Sequence, residues 1–240
     1  MSLTLPVSGE GEPVSFTPST IIFKPTFSNT NSTNTKVTFK NVGTVTLTLT
    51  SLVPSPSNYT INYTGLTTGS CSAQPLALAA NATCTFNVAF NPGTTLGVIP
   101  GTVTANFTGD PNGVTQMALN VTGTGTEVSL SPASLAFGTV STGTLNKSVT
   151  VRNVGTTPLS FSGTPTITGT GSGQFAVLPY SATGPVSTCL NGTVTLSNGQ
   201  SCTFTVQFTH AADTTTFTTY LNISDNGGGS PQLVKKTATD

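Results

Sequence analysis

The sequence predicts an all-β protein made of two tandem, antiparallel, seven-stranded β-sandwiches. Three observations predict it: a chain rich in Thr, Ser, Asn, Gly and Val, apolar residues that alternate with a period of two, and an internal repeat of about 115 residues. The 25 Gly and 16 Pro punctuate short apolar runs, as turns do between strands. Hydrophobic residues make up 35% of the chain, with 13 Phe among them, which is ample material for packed cores and excludes disorder. At about 100–150 residues per domain, 240 residues suffice for two cores.

The repeat is legible at three places. Residues 14–23 read VSFTPSTIIF and residues 128–137 read VSLSPASLAF; Asn41-Val42-Gly43 recurs as Asn153-Val154-Gly155; residues 78–90, LAANATCTFNVAF, recur at 196–208 as LSNGQSCTFTVQF. The offset grows from 112 at the Asn-Val-Gly motif to 118 at the last match. Six extra residues therefore enter the second copy before its first cysteine, around 169–173 or 181–185, where loops tolerate length changes. Residues 5–11 (LPVSGEG) match 119–125 (LNVTGTG), so residues 1–12 read as the last strand of a truncated upstream repeat or an expression-derived segment. Residues 13–126 then form the first sandwich and residues 127–240 the second, within a longer repeat array.

Alternation defines the strands. Cys84, Phe86, Val88 and Phe90 are separated by Thr85, Asn87 and Ala89, and the copy repeats this with Cys202, Phe204, Val206 and Phe208. Val37 and Phe39, Leu47 and Leu49, and Val103, Ala105 and Phe107 give further strands, matched by Val149 and Val151, Leu159 and Phe161, and Phe217, Leu221 and Ile223. No window shows sustained helical spacing, and no apolar stretch is long enough to span a membrane. The start of the chain lacks a basic region followed by an apolar block.

Cys71 and Cys84 are 13 positions apart, as are Cys189 and Cys202. Four cysteines allow three connectivities, and a repeating module is expected to bond within itself, pairing Cys71 with Cys84 and Cys189 with Cys202. Disulfides place the chain in an oxidising, extracytoplasmic compartment: cell surface, medium or periplasm. The 13-residue spacing and the absence of Trp exclude the antibody-type bridge between sheets.

The order of short motifs resembles a known family. Ser-Pro-x-x-Leu-x-Phe-Gly at residues 131–138, Asn-Val-Gly, a cysteine, Leu-x-x-x-x-x-Cys-x-Phe-x-Val-x-Phe, and Thr-Gly-Thr-Gly at residues 122–125 are together similar to the ASPM/SPD-2/Hydin (ASH) superfamily. The likeness is greatest to its bacterial branch of choice-of-anchor D domains. The resemblance implies an immunoglobulin-like sandwich related to major sperm protein, found in tandem in exported proteins, with no catalytic residues. The sequence departs from the pattern at Phe23-Lys24, where the second copy has Phe137-Gly138, and at Thr237-Ala238-Thr239, which lacks the closing glycines.

Charge and titratable residues restrict function. Charged residues are 6% of the chain and seven acids balance seven bases, so no basic stripe for nucleic acid exists. Catalysis has few candidates: one histidine, His210, and the acids Glu10, Glu12, Asp110, Glu127, Asp213, Asp225 and Asp240. No cofactor or metal is expected. Asp110 and Asp225 precede Pro-Asn-Gly and Asn-Gly-Gly and read as turn-initiating residues rather than calcium ligands. His210 reads as an exposed loop residue, and Lys235 and Lys236 as guards of an exposed sheet edge. The expected function is a non-enzymatic structural or adhesion-type module of an exported bacterial protein, a stalk or spacer that meets a protein or cell-surface partner. The alternative is a carbohydrate-binding accessory module, with Tyr59 and Tyr63 as the stacking residues.

Overall fold

The computed structural model describes residues 12–66, 69–184, 186–210 and 215–239. The expected upstream remnant, except Glu12, and the acids Glu10, Asp213 and Asp240 lie outside them. Regular structure among the described residues is strand, apart from two single 3-10 turns at Ser172–Gln174 and Thr188–Leu190. The chain divides into two compact units. One comprises the described residues up to Thr26 with those of Thr30–Gly93 and Ile99–Gly123; the other comprises those of Phe27–Asn29, Thr94–Val98 and Thr124 onward.

Ten strands lie between Val14 and Thr126: β1 (Val14–Thr17), β2 (Thr20–Ile22), β3 (Thr26–Phe27), β4 (Thr35–Asn41), β5 (Leu47–Ser55), β6 (Tyr59–Asn62), β7 (Leu76–Leu78), β8 (Thr83–Phe90), β9 (Gly97–Thr108) and β10 (Gln116–Thr126). They form a sheet of order β1-β4-β8-β6 and a second of order β2-β10-β9-β5-β7, in which β3 also pairs β10. Ten more follow: β11 (Val128–Ser131), β12 (Ser134–Thr139), β13 (Thr144–Asn153), β14 (Leu159–Ser160), β15 (Thr166–Thr170), β16 (Phe175–Val177), β17 (Thr195–Leu196), β18 (Ser201–Thr209), β19 (Thr216–Ile223) and β20 (Gln232–Thr239). Their sheets run β11-β13-β18-β16 and β12-β20-β19-β15, with β14 and β17 as a separate pair.

The expectation of purely antiparallel sheets is corrected at one strand in each half of the chain. β2 runs parallel to β10, with Val121 opposite Ile21, and β12 runs parallel to β20, with Lys236 opposite Leu135. The cause is a proline. β1 pairs antiparallel with β4, and β11 with β13, until Pro18 and Pro132 interrupt the ladder for want of an N–H. The chain then crosses to the opposite sheet without reversing direction and lands beside a strand that runs the same way.

Each core fills the space between its two main sheets. The alternating residues of β8 and β18 face inward: Phe86, Val88, Phe90, Phe204, Val206 and Phe208 are fully buried. In the first core, Phe90 lies between Phe23 and Tyr59, with ring centroids at 5.8 and 5.2 Å. In the second, Phe208 meets Phe137, Phe175 and Phe217 at 6.0, 4.9 and 6.0 Å. Offset and tilted aromatic contacts of this kind add to the stabilisation from burial itself. Gly123 supplies room for the first cluster, because a β-carbon there would lie 2.4 Å from the Phe90 ring.

Candidate functional site

The polar residues that the sequence singles out are held mainly by the backbone. Asn41, fully buried at the end of β4, donates from Nδ2 to the carbonyls of Val45, Leu78 and Ala79, and its Oδ1 accepts the Gly43 N–H at 3.0 Å. Asn153 repeats the arrangement at the end of β13, donating to Thr157 O at 2.7 Å and Leu196 O at 2.8 Å while accepting from Gly155 N at 2.9 Å. The Asn-Val-Gly motif is therefore a clamp that ties one strand end to another 37 to 43 residues away. In the second copy a β-carbon at Gly155 would meet the Glu127 carboxyl group, which would have to move aside.

Asp110 and Asp225 initiate turns. The Asp110 carboxylate accepts the N–H groups of Asn112 and Val114, and Asp225 accepts that of Gly227 at 2.8 Å. Burial raises the Asp225 carboxyl above its ordinary value, opposed by the hydrogen bonds from Gly227 and Gln232.

Cysteine serves the same structural end. Disulfides join Cys71 to Cys84 and Cys189 to Cys202. β6 pairs only with Asn87 to Phe90 of β8, and the bridged loop takes over where it stops: Thr85 N donates to Gly69 O, and Cys71 N donates to Thr85 O. In the second copy, Ser187 Oγ accepts from Thr205 N and Thr188 Oγ1 from Thr203 N. Each bridge thus holds a loop against the open edge of a core strand and satisfies its donors.

The second copy also carries a cleft of about 570 Å³, lined by Phe161, Thr164, Tyr180, Leu190, Thr193 and Val194 among others, beside the Cys189 bridge. No charged side chain among the described residues lines it. Strand register shows where the extra residues enter. Tyr59 pairs with Phe90 as Phe175 pairs with Phe208, so the two aromatics match. Asn41 and Tyr59 are 18 residues apart, Asn153 and Phe175 22; Tyr59 and Cys71 are 12 apart, Phe175 and Cys189 14. Four residues therefore enter before β16 and two after it, the latter in the loop that begins at Pro179 and Tyr180. Tyr180 is 43% exposed.

Several sequence expectations are corrected. Tyr59 offers no face to a sugar: it is 1% exposed, its hydroxyl donates to Ile99 O, and burial raises its pKa. Tyr63 is half-buried and its hydroxyl accepts from Gln74 Nε2 at 3.4 Å. His210 is half-buried just past the end of β18, where its main-chain N–H donates to Gly143 O. Lys235 and Lys236 do not guard an edge, because β20 lies between β12 and β19. Lys235 faces solvent, but Lys236 is fully buried; its Nζ has no hydrogen-bond partner among the described residues and sits 5.2 Å from the centroid of the Phe175 ring. Burial pushes its pKa down to about 8. A cation over an aromatic face recovers about 0.5–2 kcal/mol, less than the several kcal/mol that burying an ammonium costs.

No protein-family model matches the sequence, and no curated protein does. Solved structures similar to this chain include a protein of unknown function from Porphyromonas gingivalis W83, at 14% identity and a TM-score of 0.40 over 95% of this chain and 100% of that one. The ASH/PapD-like domain 7 of human CEP192 matches at 12% identity and a TM-score of 0.36, over 52% of this chain and 94% of that one. WR4, a C. elegans member of the MSP family, matches at 11% identity and a TM-score of 0.32, over 48% of this chain and 99% of that one.

Proposed function

We propose that the chain is a non-enzymatic tandem module of an exported bacterial protein, two ASH-like sandwiches that act as a stalk or spacer and meet a protein partner through their loops. Residues 13–126 and 127–240 are the two modules. Each has seven principal strands once β1 is joined to β2 and β11 to β12, and the short β3, β7, β14 and β17 are set aside. The observation that carries this reading is the use made of polar residues: Asn41, Asn153, Asp110 and Asp225 all bind main-chain groups and so serve the scaffold. Two disulfides support an extracytoplasmic setting. Among the described residues, no helix is long and apolar enough to cross a membrane. The Tyr180 cleft, bordered by a loop that is longer in the second copy, is the interaction surface this reading favours.

Solution scattering tests the spacer role. A single compact globule of this length has a radius of gyration of about 18 Å. A stalk of two modules is expected to exceed that clearly; a value at about 18 Å would contradict the spacer and favour a fused binding body.

A further inference from the structure

Lys236 occupies a rung that holds valine in the first copy. Ile21 pairs with Val121 on β10 as Leu135 pairs with Lys236 on β20, and both Val121 and Lys236 are buried. Its cross-strand neighbour departs in the same way. Thr219 faces Lys236 across β19 and β20, is fully buried, and its Oγ1 also lacks a partner among the described residues. Asn106 pairs with Ser51 and Asn222 with Thr166 in the corresponding ladders, so counting back three residues sets Thr219 against Val103, another buried valine. Two buried valines of one core thus correspond to a threonine and a lysine in the other. The fold does not need the amine, and its position costs free energy whenever it is charged.

We propose that Lys236, with Thr219 beside it, is a proton-operated switch in the second unit: proton uptake at Nζ loosens β20 from Phe175, while the valine-lined first core does not respond. No charged group compensates from the surrounding strands. β12, β16, β18 and β19 carry no acid or base apart from Tyr220, which is on the exposed face of β19. Lys235 is on the exposed face of β20. On β13, Lys147 and Arg152 are partly or fully exposed. Asp225 lies beyond Gln232, at least four residues along the strand and so about 13 Å from Lys236.

The sign follows from linkage. The folded amine titrates near 8 and the unfolded one near 10.5, so the unfolded chain holds more protons between these values. The stability of the second unit is therefore expected to be full above pH 10.5 and to fall as pH drops to about 8, by up to roughly 300-fold in the unfolding constant. Denaturant unfolding of the full chain and of Lys236→Val, followed from about pH 7 to 11, reads this directly. The ratio of their unfolding constants should fall by that factor with rising pH, and a ratio that stays constant would overturn the proposal. Side-chain NMR of the wild-type chain answers the same question if the variant does not fold. One lysine of six should titrate near pH 8, whereas six titrating together near 10.5 would overturn the switch.

Discussion

Replacing Phe208 with Ala should destabilise the second unit by about 3–5 kcal/mol, the range for removing a large buried aromatic. Phe208 is fully buried on β18 and its ring meets three other phenylalanines, two from β12 and β16 and one from β19. Both main sheets of the unit converge on it, so the cavity left by truncation borders side chains that cannot all move in. Domains of this size are stable by only about 5–15 kcal/mol, and the variant should lose much of its margin. Urea unfolding measures the loss. A change below about 1 kcal/mol would mean that the phenylalanine cluster is not the centre of the core.

The second large effect is expected at a polar residue. Asn153→Ala should cost about 3 kcal/mol, because it strands the buried Leu196 carbonyl and Gly155 N–H and removes the partly buried bond to Thr157 O. Asn153→Asp discriminates further. Its side chain keeps the shape but loses the donors, and a carboxylate would face the carbonyls of Thr157 and Leu196. Its pKa would be raised, so the variant should be weakest above its folded pKa and recover as pH falls and the carboxyl protonates. Stability measured at about pH 4 and pH 8 should show that recovery; equal loss at both would mean the donors are not what matters.

These two residues show what one sequence discloses. Phe208 was legible, because period-two alternation along Cys202, Phe204, Val206 and Phe208 specifies an inward face without reference to any other strand. Asn153 was visible only as a repeated motif. Its partner carbonyl at Leu196 lies 43 residues away, and no local pattern carries that information. Lys236 was misread for a related reason. Along β20, Gln232, Val234, Lys236 and Ala238 point inward while Leu233 points out at 56% exposure, so polarity inverts the pattern that alternation would otherwise reveal. Tyr59 failed because tyrosine suits both roles, a sugar platform and a core residue with one bonded hydroxyl. The six inserted residues were countable from the sequence, but their division into four and two needed the pairing of Tyr59 and Phe175 with their neighbours on β8 and β18.

In the proposed reading, each compact unit is closed by its own bridge over a core strand. Peptide mapping of the intact chain without reduction tests it most directly. The account predicts that Cys71 is recovered with Cys84 and Cys189 with Cys202; a disulfide-linked peptide joining the two halves, or free thiols at these positions, would contradict it.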